Sequence, residues 1–289
     1  MKTSEMEKNV IVKNNINSTV ASVDEIIIRA KNIRKNIINT NVHAGQGHTA
    51  SDLSEADILA ALYFRILKID KDDLLNPDRD RLILSKGHGV CGLYCTLVEA
   101  GIIDRSLLNT YLQFDSCLPG HPVRQKTPGV ELNTGALGHG MAVGVGLALS
   151  SKKSNRNFRV FVVTGDGELQ EGSNWEAAMS ASQFKLDNLF VIVDRNHLQL
   201  ADRTENIIDL EPLDKKFEAF GFDVQVTDGN DVKQLIDTIE NINDKNGKPH
   251  VVLAQTIKGK GISFIENKPI WHHKIPVGDE ITKAIIELE

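Results

Sequence analysis

Residues 160–172 read VFVVTGDGELQEG, an apolar run cut off by an acidic residue held between two glycines. Asp166 in that setting is either part of an ordinary tight turn or one half of a metal site. A partner for it stands 30 residues on, at Asn196, where NLFVIVDRN ends. That interval is about the length of one strand–helix–strand crossover, which brings the chain back to the same edge of a sheet. Carboxylate and amide oxygens are hard donors, suited to Mg²⁺ or Ca²⁺ and not to zinc. Two protein oxygens leave an octahedral Mg²⁺ short of ligands, and phosphates are its usual complement. Gly165 and Gly167 would let backbone amides approach such phosphates closely. On spacing alone, turn and metal site both stay open. Four histidines, His48, His88, His121 and His139, each follow a glycine. By themselves these could be loop histidines bonded to backbone.

Positioning such residues needs a scaffold, and the chain repeats one pattern: strand, Gly-rich or polar turn, helix. RLILS (81–85) leads through KGHG into VCGLYCTLVEA, which ends at Gly101. FRVFVVT (158–164) leads through GDGELQEG into SNWEAAMSASQF, where Ser173 and Glu176 read as a capping box that starts a helix just after Gly172. NLFVIVD, DVQVTD and HVVLAQT follow, with helical PLDKKFEAF and DVKQLIDTIENI between them. Ahead of these strands lie two amphipathic helices, SVDEIIIRAKNIRKNIINT and SEADILAALYFRIL, joined by NVHAGQGHTASDL. Short apolar strands alternating with helices predict an α/β fold, a parallel sheet with helices on both faces. Ligands of such sheets bind in the turns beyond the carboxyl ends of the strands. We expect one domain over 21–289, preceded by a flexible tail over 1–20 that is rich in Asn and Lys and has no apolar signal core.

Composition narrows the function. With 41% hydrophobic and 25% charged residues, the chain is that of a soluble globular protein. A net charge of −6, without a basic cluster interleaved with aromatics, argues against nucleic acid as a partner. The apolar runs are strand-sized, far short of a membrane span. Cys91, Cys95 and Cys117 form neither a disulfide framework nor a zinc box, and they fit a reducing cytoplasm.

The stretch from Gly165 to Leu200, GDG followed about thirty residues later by Asn, resembles the thiamine diphosphate motif, and more narrowly the version found in the transketolase family. GQGHTAS (45–51), LSKGHG (84–89), LPGHPV (118–123) with NTGALGHG (133–140), and TIKGKGISFIENKPIWHHK (256–274) extend the resemblance over roughly 20–280. It implies the thiamine diphosphate-binding fold, in its diphosphate-binding domain. Asp166 and Asn196 would bind Mg²⁺, with Ca²⁺ or Mn²⁺ as substitutes, through side chains, and Leu198 through its carbonyl. Gly165, Gly167, Gly135, Ala136, Leu137, Ser51, His88, Asn196, Lys258 and His272 would contact the cofactor. His48, His88, His121 and His272 would ring the reacting carbonyl and hydroxyls of a sugar, as catalytic groups. Neutral imidazoles donate to or accept from hydroxyls near pH 7, which suits a polyol. Glu171 resembles the glutamate through which paired sites communicate across a dimer interface.

Three positions depart from the family pattern. His273 stands where glycine is commoner, so either His272 or His273 could face the site. His139 replaces a frequent Gln and is expected to be structural, or to touch the cofactor only indirectly. Leu200 replaces a polar cofactor contact found in some members. His43, His197 and His250 are expected to be surface or packing residues.

A full transketolase chain is about twice this length, and nothing here resembles its pyrimidine-binding second half. The expectation is a split enzyme in which this chain is the diphosphate-binding subunit, working only with a separate pyrimidine-binding subunit, in a heterotetramer. Its reaction would be two-carbon ketol transfer from a ketose phosphate to an aldose, with pentose phosphates as default substrates. The rivals are an alpha-type subunit of a thiamine enzyme that decarboxylates 2-oxo acids or forms acyloins, and a non-catalytic scaffold.

Overall fold

Arg81–Leu84 (β1), Val160–Gly165 (β2), Leu189–Arg195 (β3), Asp223–Asp228 (β4) and His250–Gln255 (β5) form one sheet in the computed structural model, which describes residues 21–289. The expected tail over 1–20 lies outside the described residues. The strand order is β1-β2-β3-β5-β4, and every pairing is parallel. β3 is buried along its whole length. β4, at the edge, mixes Val with Asp, Gln and Thr and is only partly covered, which suits an edge strand.

Alternation along the strands separates two apolar layers. Leu82, Leu84, Phe161, Val163, Phe190, Ile192 and Val252 face one core, which Val23–Ala44 (α1), Ala56–Ala61 (α3), Val90–Glu99 (α4) and Val232–Glu240 (α9) cover. Ile83, Val162, Val191, Val193, Val251 and Leu253 face the other, under Gly140–Lys153 (α5), Gly172–Gln183 (α6) and Leu213–Ala219 (α8). The two-faced α/β arrangement is therefore present. The C-terminal Asp279–Glu287 (α10) returns to the first core through Ala284 and Leu288.

Two local expectations are corrected. The second amphipathic helix starts earlier than the sequence suggested. Thr49–Ser54 (α2) is already helical and runs into α3 and then a widened turn at Leu62–Ile66, so the connector from α1 is only Gly45–His48. The capping box expected at Ser173 and Glu176 does not form. α6 begins at Gly172 with Glu171 as its N-cap, so Ser173 falls inside the first turn. Its hydroxyl donates instead to Gly138 O at 2.8 Å and ties that loop to the helix. A capping box does form at α1, where Ser22 and Glu25 bond reciprocally and Gly45 (φ 72°) ends the helix.

Candidate active site

β2 and β3 are paired through Gly165 and Asp194, so Asp166 and Asn196 emerge side by side at the carboxyl edge of the sheet. His197 donates its backbone N–H to Asp166 Oδ2 at 2.5 Å, and Gly167 donates its own to Oδ1 at 2.7 Å. Arg195, fully buried, approaches Oδ2 at 3.2 Å and also pairs with Glu211. Burial, with Asp194 nearby, pushes the Asp166 carboxyl up, and Arg195 and the two amides work against that rise. Asn196 Oδ1 accepts from Leu198 N–H at 3.1 Å. Asp166, Asn196 and the Leu198 carbonyl make an all-oxygen donor set, the chemistry a hard dication takes. Lys258 Nζ donates to Leu198 O at 3.0 Å, so that carbonyl already faces a cation. Among the described residues, no group of three or more His, Cys, Asp or Glu is arranged to hold a metal.

These strand ends open on a cleft of about 350 Å³. Across from them stand the imidazoles. His48 lies 5.4 Å from His88 and 5.5 Å from His272 between ring centroids, and His88 lies 5.2 Å from His272. His121 joins from the 118–123 loop, where its ring packs on Gly135, at which φ is +137° and a Cβ would come within 2.8 Å of the imidazole. His88 Nε2 lies 3.1 Å from Ser51 Oγ. Burial holds the His48 ring down to about 4 and the His272 ring down to about 3, helped by Lys258, Lys86 and the neighbouring imidazoles. His88 is likewise held well below the usual histidine range by burial, then by Lys86. His121 is lowered by burial.

Lys258 Nζ also donates to His272 Nδ1 at 2.8 Å. An ammonium has no acceptor, so Nδ1 must accept and the ring proton sits on Nε2. Burial, with Lys86 second, lowers the Lys258 amine to about 8, against the pull of Asp166 and Asp194.

Beneath the cleft lies a charged layer that sequence reasoning missed. Lys86 Nζ sits 2.6 Å from Asp194 Oδ2 and 3.0 Å from Glu55 Oε2, and donates to Ser51 O at 3.1 Å. Ser54 and Thr256 hydroxyls donate to the same Asp194. Burial opposes ionisation of Asp194, but Lys86 and these donors outweigh it and hold the carboxyl below its usual range. Burial pushes Glu55 well up, as do Asp194 and Asp52, against the pull of Lys86. Glu168, buried beside the cleft, accepts from Ser85 Oγ, from Gly138 N–H at 2.9 Å and from Gly165 N–H at 3.1 Å, tying three turns together.

Every expected site residue except Ala136, which is exposed and off the wall, lines this one cleft. Glu171 lies on its exposed side. Of the two adjacent histidines, His272 faces the cleft, and His273 packs edge-on against His48 at 4.6 Å. His139 is exposed and off the cleft wall, with its Nδ1 3.1 Å from Leu137 O. Leu200 is on the wall, 65% exposed. His43 is exposed, and His250 is fully buried against Phe190. The buried acids had one sequence signal, Asp194 directly after the apolar strand run 189–193, where a charge needs a buried partner.

A parallel α/β sheet with oxygen donors, a buried lysine and imidazoles gathered at its strand ends has the layout of a cofactor-dependent enzyme site. Residues 26–287 match the family described as "Transketolase, thiamine diphosphate binding domain". The chain belongs to the transketolase family, and it holds that family's N-terminal, thiamine diphosphate-binding part. It is 58% identical over 270 residues to a protein of Actinobacillus succinogenes named as a subunit of apulose-4-phosphate transketolase, covering 93% of this chain and 97% of that protein. It is 41% identical over 266 residues to the protein of the same name in Phocaeicola vulgatus, covering 92% and 94%. The crystal structure of Campylobacter jejuni transketolase superposes with a TM-score of 0.86 at 31% identity, over 93% of this chain and 43% of that one. The chain thus spans about two-fifths of that transketolase. No described helix is long and apolar enough to cross a membrane.

Proposed function

We propose that this chain is the diphosphate-binding subunit of a two-subunit transketolase. It would transfer a two-carbon ketol unit from a ketose phosphate to an aldose only when joined by a separate pyrimidine-binding subunit. The observation that carries the reading is the meeting of Asp166 and Asn196 at paired strand ends, in the same cleft as His48, His88, His121 and His272. The two apulose-4-phosphate transketolase relatives are each named as one subunit and match nearly end to end, which supports a separate partner. Their name puts apulose 4-phosphate at the head of the substrates to test, ahead of the ordinary pentose phosphates. A heterotetramer with two sites, and a reducing cytoplasm for three unpaired cysteines, complete the proposal.

Asp166, Asn196 and the Leu198 carbonyl would hold Mg²⁺, and Lys258 would face the diphosphate. Ser51, His88, His272, Gly165, Gly167 and the Gly135–Leu137 turn would line the cofactor, with Glu171 at the interface between sites. When bound, thiamine diphosphate supplies the electron sink for C–C cleavage. The protein's part is orientation and proton placement. His48 and His272, held down to about 4 and about 3, stay neutral at pH 7, so that His48 can accept a hydrogen bond from a sugar hydroxyl or donate one to it, whereas His272 can only donate. His272 presents Nε2–H to the cleft because Lys258 occupies its Nδ1. His88 is held in place by Ser51.

The test is ketol transfer by the purified pair over a panel of sugar phosphates, with Asp166→Ala as control. The proposal expects transfer by the pair and loss of both cofactor binding and activity in the variant. Release of CO₂ from a 2-oxo acid without ketol transfer would replace it with the rival thiamine enzyme, and full activity of Asp166→Ala would remove the metal assignment.

A further inference from the structure

Gln199 carries a donor that nothing in the protein takes up. Its Nε2 is buried and has no hydrogen-bond partner. Of the buried, unpartnered side-chain atoms among the described residues, this is the one that belongs to a residue of the cleft wall. The other polar groups around it are engaged. Leu198 O takes Lys258 Nζ, and the Asp166 oxygens take Gly167, His197 and Arg195.

The backbone that carries it is held in place. Gln199 N–H donates to Asp202 O at 2.8 Å, within the small hairpin closed by the Leu198–Arg203 bridge. The side chain then lies flat over Gly167. A Cβ added to Gly167 would come within 2.6 Å of Gln199 Cγ, 2.9 Å of Cδ and 3.2 Å of Nε2. The second glycine of GDG therefore makes room for this amide as well as for any ligand. The next residue, Leu200, is apolar and its side chain cannot supply a hydrogen bond from this stretch. A buried amide N–H without an acceptor is unfavourable, and an anionic oxygen is the acceptor that relieves it most.

We propose that Gln199 is a binding residue for the diphosphate, donating from Nε2 to an anionic phosphate oxygen placed over Gly167. This rests on the reading of the cleft as the thiamine diphosphate site. Together with Lys258 it would form a two-donor clamp, one charged and one neutral.

The test is equilibrium binding of thiamine diphosphate with Mg²⁺ to the reconstituted two-subunit complex, followed by calorimetry. Gln199→Leu keeps the bulk over Gly167 and removes the donor; Gln199→Glu puts a carboxylate toward the anion. Thiamine without phosphate serves as the second ligand, and melting of the unliganded complex reports the fold. Gln199→Leu is expected to weaken thiamine diphosphate roughly tenfold, as loss of a hydrogen bond to a charged acceptor does. Gln199→Glu should weaken it further, with thiamine affinity and the unliganded melting point unchanged for both. Three results overturn the inference: unchanged affinity in Gln199→Leu, an equal loss for thiamine, or a lowered melting point that accounts for the loss. A wild-type complex that fails to bind thiamine diphosphate overturns the cleft assignment itself, and this inference with it.

Discussion

Lys86 Nζ stands 2.6 Å from Asp194 Oδ2, and both side chains are shut off from solvent beneath the cleft. The pair joins the turn after β1 to the end of β3, and through Ser51 O it reaches α2, which follows His48. It fixes the floor on which His88 and Asn196 stand. Removing one member of a buried pair leaves the other charge without a partner.

Lys86→Met should therefore destabilise the chain by about 3–5 kcal/mol, a large share of a domain's total. Urea unfolding followed by circular dichroism measures it. A loss under about 1 kcal/mol would mean that Asp194 is neutralised without Lys86.

The depressed imidazoles make a pH prediction whose sign can be worked out. An unfolded histidine titrates near 6.5, but His48 and His272 hold their protons off until about 4 and about 3. As pH falls below neutrality the unfolded chain binds protons first, so the pair's contribution to stability is full above about 6.5 and is lost progressively toward about 3. Asp52, raised to about 7 by burial, acts in the opposite direction, so the comparison must be with a variant. Relative to wild type, His48→Gln/His272→Gln should gain stability as pH drops from 7 to 5. Parallel pH profiles for the two would show that these rings titrate normally.

The contact between Lys258 and His272 predicts a tautomer. In wild type the ring proton of His272 should sit on Nε2, readable from ¹⁵N shifts of labelled histidine, and Lys258→Met should release that preference. The same variant should weaken thiamine diphosphate binding by more than tenfold, on the order of the 1.5–3 kcal/mol carried by a hydrogen bond between charged groups. Unchanged ¹⁵N shifts in the variant would show that Lys258 does not set the tautomer.

Glu171 tests the interface proposal. It is exposed and serves as the N-cap of α6 without a side-chain cap bond. Glu171→Ala should leave the isolated chain's melting point within about 2 °C, since surface changes away from special features cost about 0.5 kcal/mol or less. It should shift the assembled complex toward smaller species in sedimentation. Unchanged assembly would remove Glu171 from the interface.

Much of this was legible in the sequence because it was written in local patterns. Strands with apolar runs and turns with glycine announced the α/β layout, and the interval from Asp166 to Asn196 announced the shared sheet edge. Three things were not legible. Helix boundaries near Thr49 and Gly172 moved because tertiary bonds outweighed capping propensity: Ser173 bonds Gly138 across 35 residues instead of capping its own helix. The buried layer of Lys86, Glu55 and Asp194 depends on residues up to 139 positions apart, so no short motif announces it. Gln199 carries no sequence signal at all, and its place against Gly167 emerges only when the turn after β2 and the hairpin after β3 are brought together.

The most direct test of the account is two-carbon transfer measured with this chain alone and with its pyrimidine-binding partner, at saturating thiamine diphosphate and Mg²⁺. The account predicts no detectable transfer by the single chain, restored activity on mixing, and loss of that activity in Asp166→Ala. Ketol transfer by the purified single chain, or a mixed complex indifferent to Asp166→Ala, would contradict it.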